Sequence, residues 1–189
     1  MHNDYSKYIL YMLLIAVLIG VFFAAALVMI RKIGSKRDLK NLRPLINCGS
    51  IGVFFDRENN VTLIPYVKDK YGVGRATEEV GVLRWPYSAQ RLGKAARNCM
   101  VSCKNGAPCP DDKLMKLLGA VGWKEFSEGK RNISVYYKEG QGIYFNTTVR
   151  TVDGAYHFNQ TGNKYVLPGD TDDRELGEML LGLVRFCRC

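Results

Sequence analysis

Histidine is almost missing from this chain of 189 residues: only His2 and His157 are present. A Ser-His-Asp or Cys-His arrangement would have to be built on His157, because His2 sits ahead of a long apolar run. Nucleotide-binding signatures are also lacking. The glycine-rich stretch GVGRATEEVG (72–81) has neither the Gly-Lys-Ser/Thr ending of a phosphate loop nor the glycine spacing of a dinucleotide fingerprint, so it is expected to be a turn between strands. The C-x2-C pairs typical of zinc sites do not occur; Cys99, Cys103 and Cys109 are spaced C-x3-C-x5-C instead. These gaps remove the usual grounds for catalysis, a metal or a cofactor. The expectation is a protein that is not an enzyme and carries no cofactor.

One segment accounts for much of the apolar content. YILYMLLIAVLIGVFFAAALVMI (8–30) carries no charge. As a helix it would span about 33 Å, enough to cross a hydrocarbon core of about 30 Å. A cleavable signal would have a shorter apolar region than this run, which passes Ala24-Ala25-Ala26 and ends only at Arg31 and Lys32. The segment is therefore expected to be a transmembrane helix within an anchor of residues 1–33. A basic linker (34–43) and a body (44–189) follow.

Charge sets the expected orientation. Arg31, Lys32, Lys36 and Arg37 flank the run on its C-terminal side, which places the body in the cytoplasm, at the bacterial inner membrane, by the positive-inside rule. The net charge is +9, but from position 44 onward 20 Lys and Arg face 16 Asp and Glu. The basicity is mainly juxtamembrane and suits anionic headgroups rather than nucleic acid. Six cysteines and four Asn-x-Ser/Thr sequons, at Asn60, Asn132, Asn146 and Asn159, support an alternative: an extracytoplasmic binding or structural module stapled by disulfides among Cys99, Cys103, Cys109, Cys187 and Cys189.

The body contains a repeat. QRLGKAARNCMVSC and RELGEMLLGLVRFC share Leu-Gly and an apolar i, i+3, i+4, i+7, i+8, i+11 series, which predicts two amphipathic helices with the same buried face. Cys99 and Cys103 fall on that face and are expected to pack as small hydrophobes. Ser88 and Asp172 stand at equivalent capping positions, and Asp172 with Glu175 resembles a capping box. Val82-Leu83 and Val166-Leu167 precede the helices at matching distances, and VFFDRENNVTLI aligns with VYYKEGQGIYFN after a shift of two residues. Each half thus reads as a β-hairpin, a strand and a helix, with halves at about 44–104 and 111–189. The expected fold is α+β, an antiparallel sheet built from two pseudo-repeated halves.

Two surface features stand out as partner contacts. The acidic stretch PGDTDDRE offers Asp170, Asp172, Asp173 and Glu175 to a basic protein, although a helix N-terminus attracts acids for its own dipole. The aromatics of the second hairpin, including Tyr136 and Tyr144, are the other candidates; by alternation about half of such side chains must be core.

The segments GWKEFSEGKRNISVYY and VLPGDTDDRELGEMLLGLV resemble the immunity proteins of bacterial contact-dependent growth inhibition systems. The likeness is best over residues 122–184 and weaker over 42–100, where LRWPYSAQRLGKAA matches the strand-to-helix step. The resemblance implies an antitoxin that binds the toxin domain delivered by a neighbouring cell and blocks its active site. The partner is then a cognate toxin, and no catalytic residues are carried over. The membrane run and the mildly basic body depart from the family pattern.

Overall fold

Each half of the body contains a hairpin, as two β-prone apolar runs around a polar turn dictate. The computed structural model describes residues 44–159 and 165–189. Strand β1 (Ser50–Phe55) turns into β2 (Val61–Lys68), and β5 (Arg131–Lys138) turns into β6 (Gly142–Arg150). The first turn is held by Asp56, whose carboxylate accepts from the backbone N–H groups of Glu58 and Asn60 at 2.9 and 2.8 Å. The second is a short turn through Gly140, at φ +70°.

The two hairpins are the same object twice. Val53 faces Leu63 in the first, and Val135 faces Phe145 in the second. Further out, Tyr66 faces Ala76 on β3 (Gly74–Ala76), and Thr148 faces Phe158 on β7 (Tyr156–Phe158). Val61 faces Leu83 on β4 (Gly81–Leu83), and Ile143 faces Leu167 on β8 (Tyr165–Leu167). Every second pair is the first carried along the chain by one shift, lengthened by two residues before the last strand. At the centre β1 and β5 run antiparallel with Gly52 opposite Ser134, themselves equivalent positions. A pseudo-twofold axis passes between them, and the eight strands form one curled antiparallel sheet in the order β3-β2-β1-β5-β6-β7, with β4 on β2 and β8 on β6.

Strands β3 and β7 go beyond the expected three strands per half. The glycine-rich stretch is a turn only as far as Val73: the Asp69 carboxylate accepts from Tyr71 N and Val73 N, Gly72 takes φ +78°, and β3 starts at Gly74.

Helices α1 (Ala89–Ser102) and α4 (Asp173–Leu183, followed by a 3-10 turn at Val184–Phe186) lie over one face of the sheet. Ser88 caps α1 by accepting from Arg91 N at 3.2 Å, and Asp172 caps α4 by accepting from Glu175 N at 2.8 Å. The capping box is left half made, because the Glu175 carboxylate accepts from the Thr171 hydroxyl at 2.5 Å. Leu92, Ala96, Cys99 and Met100 from α1, with Leu176, Leu180 and Leu183 from α4, meet Ile51, Val53, Leu63, Ile133, Val135 and Phe145 in the main core.

The repeated Leu-Gly now has a cause. A Cβ on Gly93 would lie 1.7 Å from the carbonyl oxygen of Asp173, and one on Gly177 would lie 1.8 Å from that of Ala89. Each glycine sits against the first residue of the opposite helix, so the two backbones touch where any side chain would hold them apart.

The second sheet face is treated unequally. Between the halves, Pro110 and two aspartates start α2 (Asp111–Leu118), Gly119 ends it at φ +65°, and α3 (Trp123–Ser127) follows. This pair packs on the apolar residues of the first half, and α3 is tied to the end of β6 and to β7 by hydrogen bonds from Arg150 and Tyr156 to Ser127. Phe54 packs edge-on against Trp123, Phe126 and Tyr156 with centroids 5.6, 5.3 and 5.6 Å away, and Ile64, Cys109 and Leu114 complete a smaller core.

Among the described residues no helix is long and apolar enough to cross a membrane. The span expected at 8–30, the cations Arg31, Lys32, Lys36 and Arg37, and the linker at 34–43 lie outside the described residues.

Candidate functional site

Alternation along β5 and β6 turns Asn132, Ser134, Tyr136, Tyr144, Asn146 and Thr148 away from the main core. Their counterparts in the first half are the residues under α2 and α3. Gly52 pairs with Ile64 and Phe54 with Thr62; in the second half Ser134 pairs with Asn146 and Tyr136 with Tyr144. Tyr136 thus stands where Phe54 stands, and Asn146 where Ile64 stands. The covered half centres on Phe54 and Ile64, while the other half is built of Tyr, Ser, Asn and Thr throughout.

Two of these side chains are organised by each other. The rings of Tyr136 and Tyr144 stack, with centroids 5.4 Å apart and planes 11° from parallel. The Tyr144 hydroxyl donates to the Gln141 side-chain oxygen at 2.5 Å. Both residues are half-buried, so one face of the pair remains accessible. Deeper in the sheet, Thr148 donates to the Asn132 carbonyl at 2.7 Å, which leaves no buried polar side-chain atom unpaired among the described residues.

Two depressions open on this side. One, of about 320 Å³, lies over the pseudo-twofold axis and is lined by Gly52, Phe54, Trp123, Ser134, Thr148 and Phe158 among others. The second, of about 630 Å³, is walled by Cys48, Tyr66, Lys68, Cys103, Lys104 and Tyr136, with no carboxylate among its lining residues. They share Ser50 and Tyr66. Burial pushes the Tyr66 phenol up to about 12, so it remains a hydrogen-bond donor at neutral pH.

The acidic stretch divides. Asp170 is exposed, Asp172 is exposed but caps α4, and Glu175 holds Thr171. Asp173 faces inward: it is 6% exposed and pairs with Arg97, itself 2% exposed, across a 2.5 Å Nε–Oδ1 contact. Arg97 also donates to the Thr171 carbonyl oxygen at 2.5 Å. Asp173 therefore fastens α1 to α4 and is not on offer to a partner. Arg97 is the structural partner that the sequence does not announce. It lies one turn after Gly93, so the glycine that allows close helix contact also marks the row in which a long side chain would be trapped.

His157 lies exposed on β7, opposite Val149. Cys99 and Cys187 pack in the main core and Cys109 in the smaller core across the sheet, so these three thiols are spread over both faces. Among the described residues no three His, Cys, Asp or Glu side chains are grouped as metal ligands. Of the sequons, Asn132 is 5% exposed and the Asn60 amide donates to the Asp56 carboxylate, so neither is presented for modification.

No protein-family model and no curated protein matches the chain. Solved structures do. A protein of unknown function from Neisseria meningitidis is similar with a TM-score of 0.59 and 8% identity, over 77% of this chain and 98% of that one. A chain of the CdiA-CT/CdiI toxin and immunity complex from Yersinia pseudotuberculosis is similar with a TM-score of 0.57 and 10% identity, over 77% of this chain and all (100%) of that one. At these identities the likeness establishes the fold: an α+β body with a curled antiparallel sheet.

Proposed function

We propose that this chain is an immunity protein that binds and neutralises a cognate contact-dependent growth inhibition toxin, acting by occlusion and not by catalysis. The observation that carries the reading is the open half of the second sheet face. Tyr136 and Asn146 stand where the covered half has Phe54 and Ile64, and Tyr144 and Ser134 lie beside them. Tyrosine with small polar residues is the composition of adaptable protein-binding surfaces: large rigid rings supply contact area, and short polar groups supply hydrogen bonds. The likeness to a chain of a toxin and immunity complex supports the same reading. The apolar run at 8–30 and its cationic flank support a tether at the inner membrane with the body in the cytoplasm.

The test is protection. Cells carrying the full chain should survive induction of the toxin domain encoded beside it, and cells without it should not. Changing Tyr136→Ala and Tyr144→Ala together should weaken toxin binding by roughly 30-fold or more, the size of a hot-spot loss of about 2 kcal/mol, with the fold intact. Loss of protection by neither substitution would move the interface elsewhere; no protection by the unaltered chain would end the reading. A reporter fused after Cys189 that is active on one side of the membrane checks the orientation.

A further inference from the structure

The six cysteines separate by environment. Cys99, Cys109 and Cys187 are buried, and burial raises each thiol above its ordinary value, Cys99 to about 11. Such thiols are poor nucleophiles and behave as core side chains. Cys189 is exposed at the chain end. Cys48 and Cys103 differ from all of these: each is half-buried, and both line the same 630 Å³ depression.

They reach that depression from segments distant in the chain. Cys48 precedes β1, and Cys103 ends α1. Gly49, at φ +101°, is pressed so closely on the last part of α1 that a Cβ there would lie 2.3 Å from the Met100 carbonyl oxygen. Its own carbonyl accepts from Tyr137 N at 3.0 Å, which holds the segment to β5. From the helix side, the Cys103 sulfur donates to the Ser50 carbonyl at 3.4 Å. The backbone that follows Cys48 is therefore held between β5 and the helix end that carries Cys103. Burial raises the Cys103 thiol as well, and a negative charge on Cys48 would raise it further, so what sets the pair apart is its position on one depression.

We propose that Cys48 and Cys103 form an oxidisable dithiol site that closes to an intrachain disulfide, fastening the start of the central strand β1 to the end of α1. The co-reactant is a two-electron oxidant of the peroxide class. One thiolate attacks the O–O bond of hydrogen peroxide, giving a sulfenic acid and, after protonation, one water. The second thiol attacks the sulfenic sulfur, the S–S bond forms, and the hydroxyl leaves as a second water. Two thiols and one peroxide thus give one disulfide and two waters. The bond spans one wall of the depression beside Tyr66 and Tyr136, and its formation is independent of what the depression binds.

The experiment uses the full chain, reduced, purified in detergent and titrated with hydrogen peroxide, followed by denaturation, alkylation and peptide mapping. The expected result is a linked peptide pair containing Cys48 and Cys103, loss of two hydrogens from the intact mass, alkylation of the other four thiols, and reversal by a dithiol reductant. Cys48→Ser and Cys103→Ser should each abolish the linked pair, and Cys189→Ser should leave it. A linkage between other cysteines, or Cys48 and Cys103 recovered separately alkylated, overturns the proposal. Should either serine variant fold poorly, phenylarsine oxide gives an independent reading on the unaltered chain. This trivalent arsenical bridges neighbouring thiols, so it should protect Cys48 and Cys103 together from alkylation. Protection of neither would overturn the site equally.

Discussion

The Arg97–Asp173 pair shows how one residue's job depends on a partner 76 positions away. Both side chains leave water, and each is tolerable only because the other is there. Replacing Arg97 alone by Met should therefore cost about 3–5 kcal/mol, since it strands a buried carboxylate, whereas Arg97→Met combined with Asp173→Leu should recover most of that loss. Urea unfolding of the two variants measures both. The buried phenols and thiols make a second residue-scale prediction. Burial favours the neutral form and lifts Cys99 from 9.0 to about 11, and Tyr66 and Tyr87 from 10.0 to about 12. Folded values above unfolded ones mean that the stability is intact below about pH 9 and is lost as pH rises through about 9–12. The thermal midpoint should be level near neutrality and fall across that window, and Cys99→Val, which cannot ionise, should lose less of it between about pH 8 and pH 10.5.

At the scale of elements, the sequence made some features plain and hid others for definable reasons. Hairpins and helices were legible because Val53 to Ile64 is an apolar run, a polar turn and a second β-prone run, and Leu176 to Leu183 recurs at helical spacing, and these patterns are local. Strands β3 and β7 were not, since three residues with a glycine or histidine among them carry no period and exist only through pairing with Tyr66 and Thr148. The candidate face was half legible: alternation exposed Tyr136 and Tyr144 as surface aromatics, but only the fold shows that Phe54, the counterpart of Tyr136, is covered by α3. Asp173 looked like surface acid because nothing near it in sequence announces Arg97. The Leu-Gly repeat was visible, while its reason, backbone contact at the helix crossing, was not. That reason makes a prediction. Gly93→Ala inserts a methyl group 1.7 Å from a carbonyl oxygen, so the helices must separate, at a cost of at least about 1–3 kcal/mol. Gly177→Ala should match it by symmetry, whereas Gly182→Ala on the same helix, with open space at its Cβ, should be neutral or slightly stabilising. Chemical denaturation of the three variants side by side tests the contact.

For the whole molecule, the pseudo-twofold axis decides what can stand alone. The two halves are not two domains. Their boundary is as extensive as the pairing inside either hairpin: β1 pairs with β5 through six residue pairs, and α1 lies on α4 with each helix glycine against the other helix's backbone. Cut at the 104–107 turn, the first part would keep its hairpin, short strands and α1, and the second its hairpin, short strands, α4 and the connecting helices α2 and α3, yet each would expose one edge of β1 or β5 and the glycine row of its helix. The main core needs both hairpins and both long helices, and α2 and α3 pack on Phe54 and Ile64 of the first part, so each part alone buries too little apolar surface to offset chain entropy. Residues 44–105 and 106–189, expressed separately, should therefore show little cooperative unfolding, while the two together should recover the circular dichroism and single transition of the unbroken body. The break falls in an exposed turn around Lys104 and Asn105, where few contacts are lost. A second half that folded by itself with a sharp transition would contradict this, and would mean that β5 and β6 with α4 already hold a sufficient core. Recovery on mixing, in contrast, would show that the repeat works as an intramolecular dimer, with one composite core that both copies must complete and one sheet face that α2 and α3 cover over the apolar residues of the first copy.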